Sequence, residues 1–387
     1  MNKNIYSFLI LLFFGYVGLF AQTKKKYQKT FSVDKNTRLN FETRNIDVTF
    51  KIWDKDEVKV DFQVNFKNYT ELEEKHIANG IIVYAAMQST MGDSNYLEIR
   101  NSSSTSIGKL SYQIRSGEIH IKDMFAEKKE ANTYKTVREI NSQISKSSKG
   151  FEDLNGYVVF ENDSVALKDI RKSNHKGIQR IQSTYDIYIP AYMMMDLNVT
   201  SANVSFEGKF TNHIVGSFHE SNLIASELNN EQNSIALMNG TAKIKKIVGG
   251  NYMFRNATEG IIGQLENVKV QTEFSKFKFG EMSKDVHIHD FKSDFLIYNI
   301  GTNFNMINML CEYSDIKMYV NKDQKYYLEA IGNNAVLNDD NTKIIMQPNK
   351  TGEKFKMFTR GKDDEETRKN TFKLDLVHGF VTLLYKK

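Results

Sequence analysis

Two sets of side chains in this sequence have the types and spacing for chemistry. His287-x-His289 places two imidazoles two residues apart. On a strand that puts them on one face, within reach of one metal ion. Asp290 follows but points the other way, Glu273 lies on the same outer side, and Lys269, one repeat earlier, would repel a cation. The second set is the column Glu259, Lys276, Asp294 and Asp315. If successive repeats lie on one another, its members stack about 5 Å apart. Clustered acids with a base, often with calcium, serve sugar-cleaving β-helices. Lys276 between acids is equally the pattern of a solvated ladder of alternating charge, and Asp also favours turns. Glu259, Lys276, Asp294 and Asp315 are therefore ligand-binding candidates, and His287 and His289 are metal candidates. No residue is assigned a catalytic role, and the sequence points to no cofactor.

The elements that must hold these residues are strands. Phe31 and Val33, Leu39 and Phe41, Ile46 to Ile52, and Val58 to Val64 carry apolar residues at every second position. Period two is the mark of half-buried strands. Between 196 and 320 a longer period appears. The small residues Ala202, Ser221, Gly240, Thr258, Ser275, Ser293 and Ser314 recur at intervals of 19, 19, 18, 17, 18 and 21. Two residues after each stand Val204, Leu223, Ala242, Gly260, Phe277, Phe295 and Ile316. Four after stand Phe206, Ala225, Ile244, Ile262, Phe279, Ile297 and Met318. Five before stand Leu197, Gly216, Ile235, Met253, Val270, Ile288 and Met309. A unit of ~19 residues made of strand, small corner and strand cannot bury its apolar side alone, but stacked on copies of itself it builds a continuous core. The expectation is an all-β chain, most simply a right-handed parallel β-helix or β-solenoid, with an N-terminal β region and minor helices. An antiparallel meander is the competitor, but hairpin turns of the Asn-Gly type are scarce in the repeats.

The chain has 387 residues, 40% of them hydrophobic and 26% charged, which is globular composition and excludes a disordered chain. Its one cysteine, Cys311, excludes an internal disulfide framework and a cysteine-based zinc site. Walker, dinucleotide, HExxH and GxSxG patterns are absent. Thr351-Gly352-Glu353-Lys354 has the form of a zinc-finger linker, but one cysteine cannot build the fingers. Residues 1–21 have a short basic start, an apolar run from Ile5 to Phe20 and a small residue at Ala21, as a secretory signal peptide does. Without Lys3 there remain 51 basic and 47 acidic residues. That excess is small and dispersed, which gives nucleic acid no footprint. No later apolar run is long enough to span a membrane.

The organisation read from this is a signal peptide at 1–21, an N-terminal β region at 22–115 capping the coil, a variable insertion with one helix at 116–185, solenoid repeats at 186–338 and a closing segment at 339–387. Helical spacing over 70–79 and 123–146 predicts the short helices. Outside the core, Ser205, Ile224, Lys243, Ile261, Lys278, Leu296 and Lys317 form one outward column. Its three aliphatic members are expected to lie under the 110–180 segment, or else to form a binding patch.

The segment Phe31-Ser32-Val33, Leu39-Asn40-Phe41, Ile46-Asp47-Val48 and Ile52-Trp53-Asp54 through Val58-Lys59-Val60 resembles the opening of the bacterial "putative-adhesin" β-strand-repeat family. Phe274-Ser275-Lys276-Phe277-Lys278-Phe279 and Tyr313-Ser314-Asp315-Ile316-Lys317-Met318 are similar to that family's aromatic-Ser turns. The likeness covers residues 28–65 and 186–340. It implies an exported or envelope protein of a Gram-negative bacterium, periplasmic or at the cell surface, with a β-helical fold and no established catalytic residues. The function expected is a non-enzymatic, adhesin-like scaffold presenting a repeating surface to an envelope protein or glycan. The alternatives are a periplasmic accessory or sensor protein docking a partner through 116–185, and a polysaccharide lyase or hydrolase on a β-helix.

Overall fold

The computed structural model describes residues 24–67, 71, 74, 78, 81–89, 95–103, 180–321, 323–339, 342–347, 355–360 and 365–386. The expected signal peptide and the expected helix at 123–146 lie outside these residues. The described chain is all-β, with 25 strands, a short helical turn at Glu365–Arg368 and helical residues at 71, 74 and 78.

The chain divides into two compact units. One comprises Met1–Gln28, Asp61–Ile82 and Ser102–Thr184. There Phe62, Val64 and Phe66 alternate inward, and Glu71, Glu74 and Ala78 are helical where the spacing predicts a helix. The other unit comprises Lys29–Val60, Val83–Asn101 and Tyr185–Lys387, and it contains every candidate residue.

This second unit is a coil of stacked laps. Each lap runs up a first wall, turns a corner and runs along a second wall. On the first wall, Met194–Thr200, Ile214–His219, Ser234–Met238 and Asn251–Arg255 pair in parallel. On the second wall, Asn203–Phe210, Asn222–Asn229 and Thr241–Val248 do the same. The long strands Glu259–Glu273 and Lys276–Phe291 each serve the second wall of one lap and the first wall of the next. This parallel pairing excludes the meander. Val204, Leu223, Ala242, Phe277, Phe295 and Ile316 share one register column and are at most 3% exposed. Gly260 belongs to the same column because the Phe277 ring leans over it. A Cβ on Gly260 would stand 2.1 Å from a ring carbon.

The corner repeats a backbone device. Asn45, Ser201, Glu220, Asn239, Asn256, Phe274, Lys292, Tyr313, Asn334 and His378 all have φ between 49° and 59°. The N–H groups from Asn45 to Tyr313, and that of His378, form a ladder: Asn45 donates to Thr200 O, Ser201 to His219 O, Glu220 to Met238 O, and so on to Tyr313, which donates to Val377 O, and His378, which donates to Asn333 O. The next residue faces inward and, after the first corner with its Ile46, is small. Where it is serine, its hydroxyl ties laps together: Ser275 Oγ accepts from Ala257 N and donates to Glu273 O, and Ser293 Oγ accepts from Ser275 N. One expected position shifts here. In the fourth repeat the buried corner residue is Ala257, and Thr258 is an extra residue. Counting back five from Ala257 puts Tyr252 inside, in register with Ile235 and Val270, and turns Met253 outward.

Stacking order departs from chain order at both ends. Thr37–Arg44 lies between Asn95–Arg100 and Met194–Thr200. At the other end, Thr371–Val377 lies between Met306–Glu312 and Tyr327–Asn333. Phe380–Lys386 likewise lies between Asp315–Asn321 and Ala335–Asp339. The chain thus skips one lap, builds the outer one and fills the gap with its last strands. The outer lap is then paired by antiparallel strands: Thr342–Met346 on Ala335–Asp339 and Phe355–Arg360 on Tyr327–Asn333. Antiparallel strands of five and six residues thus cover the parallel edge of the terminal lap, and short edge strands are one way proteins limit edge-to-edge association.

Candidate functional site

His287 and His289 face outward from the first wall, as their spacing predicts. They stand in two register columns. Asn251, Lys269, His287 and Asn308 follow one another in the first, and Met253, Gln271, His289 and Leu310 in the second. Together with Ser234 and Ala236 these side chains line a groove of about 470 Å³ on the outer wall. It is a side-chain surface, because the backbone of a central parallel strand is already spent on both neighbours. Among the described residues no group of three or more His, Cys, Asp and Glu is placed to hold a metal ion. Lys269 flanks His287 on one side and Asn308 on the other, so the imidazoles line a groove and lack a third ligand.

The corner bordering this wall carries exposed rings. Phe274, Phe291 and Tyr313 are 46%, 38% and 51% exposed. Phe274 and Phe291 meet edge to face with centroids 5.3 Å apart, Phe291 and Tyr313 at 5.8 Å, and Tyr313 stacks on His378 at 4.8 Å. Lys292 lies over the Phe274 ring at 5.8 Å. Four of these residues, Phe274, Lys292, Tyr313 and His378, occupy the left-handed corner conformation. For a bulky residue that conformation is an outlier costing about 1–2 kcal/mol, whereas Asn adopts it readily. Four other laps use Asn there: Asn45, Asn239, Asn256 and Asn334. The sequence reading took the aromatic-Ser pairs as turn signatures and missed that the rings join into a stripe. The available signal was the residue just before each corner: Phe274, Lys292, Tyr313 and His378.

Glu259, Lys276, Asp294 and Asp315 lie on the second wall just past the corner, Glu259 two residues on because of the extra Thr258 and the others one, in the order expected. Lys243 pairs with Glu259 at 3.3 Å, and Lys276 pairs with Asp294 at 3.8 Å with both side chains largely exposed. The same column begins as a hydrogen-bonded polar ladder. Asn203 donates to Asp47, Asn222 to Asn203 and Thr241 to Asn222, at 2.7 to 3.0 Å. The four charges continue that ladder on open surface, and they are not brought together with the histidine groove. In the neighbouring outward column Ile224 and Ile261 are exposed, each beside the stem of Lys243. Residues 110–179 of the 110–180 segment expected to cover them lie outside the described residues.

Inside the coil, behind the histidines, sits a polar cluster the sequence reading did not identify. Asp290 is 1% exposed. It accepts hydrogen bonds from Thr272 Oγ1, from Ser293 N at 3.0 Å and from Ser314 Oγ at 2.5 Å. One carboxyl thus joins three successive laps. Cys311 lies beside it in register, and burial first, then the Asp290 charge, pushes its thiol pKa up. At the opposite turn Glu266 bridges Lys246 at 3.1 Å and Lys284 at 2.5 Å, and its carboxyl is held below the usual range chiefly by the Lys284 hydrogen bond.

No family model matches the chain, and no curated protein does. A solved structure of a "putative cell adhesion protein" from Clostridium sporogenes matches over 94% of this chain and 100% of its own, at 9% identity and a TM-score of 0.16. At that score the likeness carries no argument about fold or function.

Proposed function

We propose that the protein is an exported, non-enzymatic scaffold that presents a fixed surface of its β coil to a partner in the cell envelope or at the cell surface. The surface is the first wall with its aromatic corner. The supporting observation is the placing of Phe274 and Tyr313: large rings held half-exposed in a backbone conformation where Asn serves other laps. Backbone strain kept without a gain in burial is the mark of a residue retained for contact. The coil suits such a role because parallel strands fix side chains in columns at constant spacing, so little side-chain freedom remains to be lost on binding. The charged column on the second wall is solvated and paired along the surface, which favours a scaffold over a glycan-cleaving enzyme.

The test compares binding of the intact mature protein and of the Phe274→Asn/Tyr313→Asn variant to cell envelopes. The reading expects saturable binding that the variant loses while its unfolding midpoint holds or rises. Equal binding by both proteins overturns it, as does absence of binding by the unaltered chain.

A further inference from the structure

Resting on the scaffold reading, we infer that the groove on the first wall binds an acidic glycan laid across the laps. Its lining supplies Lys269 as a cation, His287 and His289 as ring N–H donors, and Asn251, Gln271 and Asn308 as amides. No carboxylate lines it. A polar groove with donors of one sign and no acid is complementary to an anion.

Three features select a glycan. The lining columns run across the strands and repeat at the lap spacing of about 4.8 Å, so the occupant is an extended chain with a short repeat. The wall strands have no free backbone hydrogen bonds, so a peptide cannot add to them as a strand. Cationic charge is sparse against amides, which suits occasional carboxylates among many hydroxyls and not one phosphate per unit. Planar amide and imidazole groups pair with neighbouring hydroxyls. Met253 and Leu310, in the second column, offer apolar area for the C–H faces of sugar rings. The next outward column toward the corner carries Glu273 and Glu312 beside Phe291, and these acids bound the anion-binding strip on that side.

The experiment is calorimetric titration of the intact mature protein with a hexamer of a uronic acid, alongside a neutral glucose hexamer of the same linkage type. The inference expects binding of the uronate hexamer, weaker at high salt, and at least tenfold weaker binding of the neutral one. Lys269→Gln and His287→Gln/His289→Gln, all at outward positions, should each weaken uronate binding at least tenfold. Asn308→Asp, which places an acid in the groove, should weaken it as much, giving a second readout independent of the histidines. Equal affinity for both hexamers, no uronate binding, or uronate binding unmoved by these variants overturns the inference. If envelope binding persists and depends on Phe274 and Tyr313 while uronate binding is absent, the groove inference fails and the scaffold reading stands. If the unaltered protein binds no envelope, the scaffold reading fails.

Discussion

Replacing Asp290 should be a costly change in the coil interior. The carboxyl is 1% exposed and accepts from Thr272 Oγ1, Ser293 N and Ser314 Oγ. In Asp290→Ala the Ser293 N–H loses its acceptor inside the fold, a cost of about 1–3 kcal/mol. Ser314 Oγ retains Glu312 O at 3.1 Å, so its loss is smaller, and Thr272 Oγ1 adds a share of its own. The sum over the three hydrogen bonds is about 3–5 kcal/mol. Asp290→Asn keeps the volume but turns an amide N–H toward at least one donor, and about half that loss is expected. The assay is urea unfolding of the mature protein followed by circular dichroism, comparing midpoints of the two variants with the unaltered chain. A midpoint for Asp290→Ala matching the unaltered protein would refute the claim that this carboxyl ties three laps together.

Other outcomes follow from the same structure. Gly260→Ala puts a methyl 2.1 Å from the buried Phe277 ring and should cost about 1–3 kcal/mol by thermal unfolding, whereas Gly208→Ala, with open space but positive φ, should cost about 1 kcal/mol. Glu266 has a lowered pKa in the fold, so it adds stability above the unfolded value of about 4.3, and that contribution is lost as pH falls through the lower folded value. Glu266→Gln should therefore be less stable than the unaltered chain at pH 7, and the difference should close on acidification below about pH 4. Cys311, buried with a raised pKa, should resist a thiol reagent at pH 8 in buffer and react in denaturing urea. Reaction at similar rates in both conditions would contradict its burial.

Much of the coil was legible because its signals are periodic. Inward positions such as Val204, Leu223 and Ile316 declared themselves by recurrence, and corner serines by their small size. Legibility ended where the period broke. The extra Thr258 displaced the count in the fourth repeat, so Met253 was expected inside and Tyr252 took that place. The lap at Thr371–Lys386 was readable as strands, but nothing in a linear pattern says that it pairs with Met306–Asn321 on one side and Tyr327–Asp339 on the other. Asp290 was read correctly as facing away from the histidines, yet its partners Thr272, Ser293 and Ser314 become neighbours only through stacking. The histidine pair was visible as residues on one face, but its setting in a groove of amides required the lateral register, which no single strand encodes.

The central structural claim is that laps stack in the order given by register, with the final strands between two earlier laps. Engineered disulfides test it directly, in a Cys311→Ala background, at the outward second-wall residues Lys317, Thr382 and Asn338. Thr382 is in register with both Lys317 and Asn338, so Lys317→Cys/Thr382→Cys and Thr382→Cys/Asn338→Cys should each cross-link on mild oxidation. Lys317→Cys/Asn338→Cys, separated by two laps or roughly 10 Å, should not. Efficient cross-linking of that last pair, with none through Thr382→Cys, would show a coil stacked in simple chain order and contradict the account.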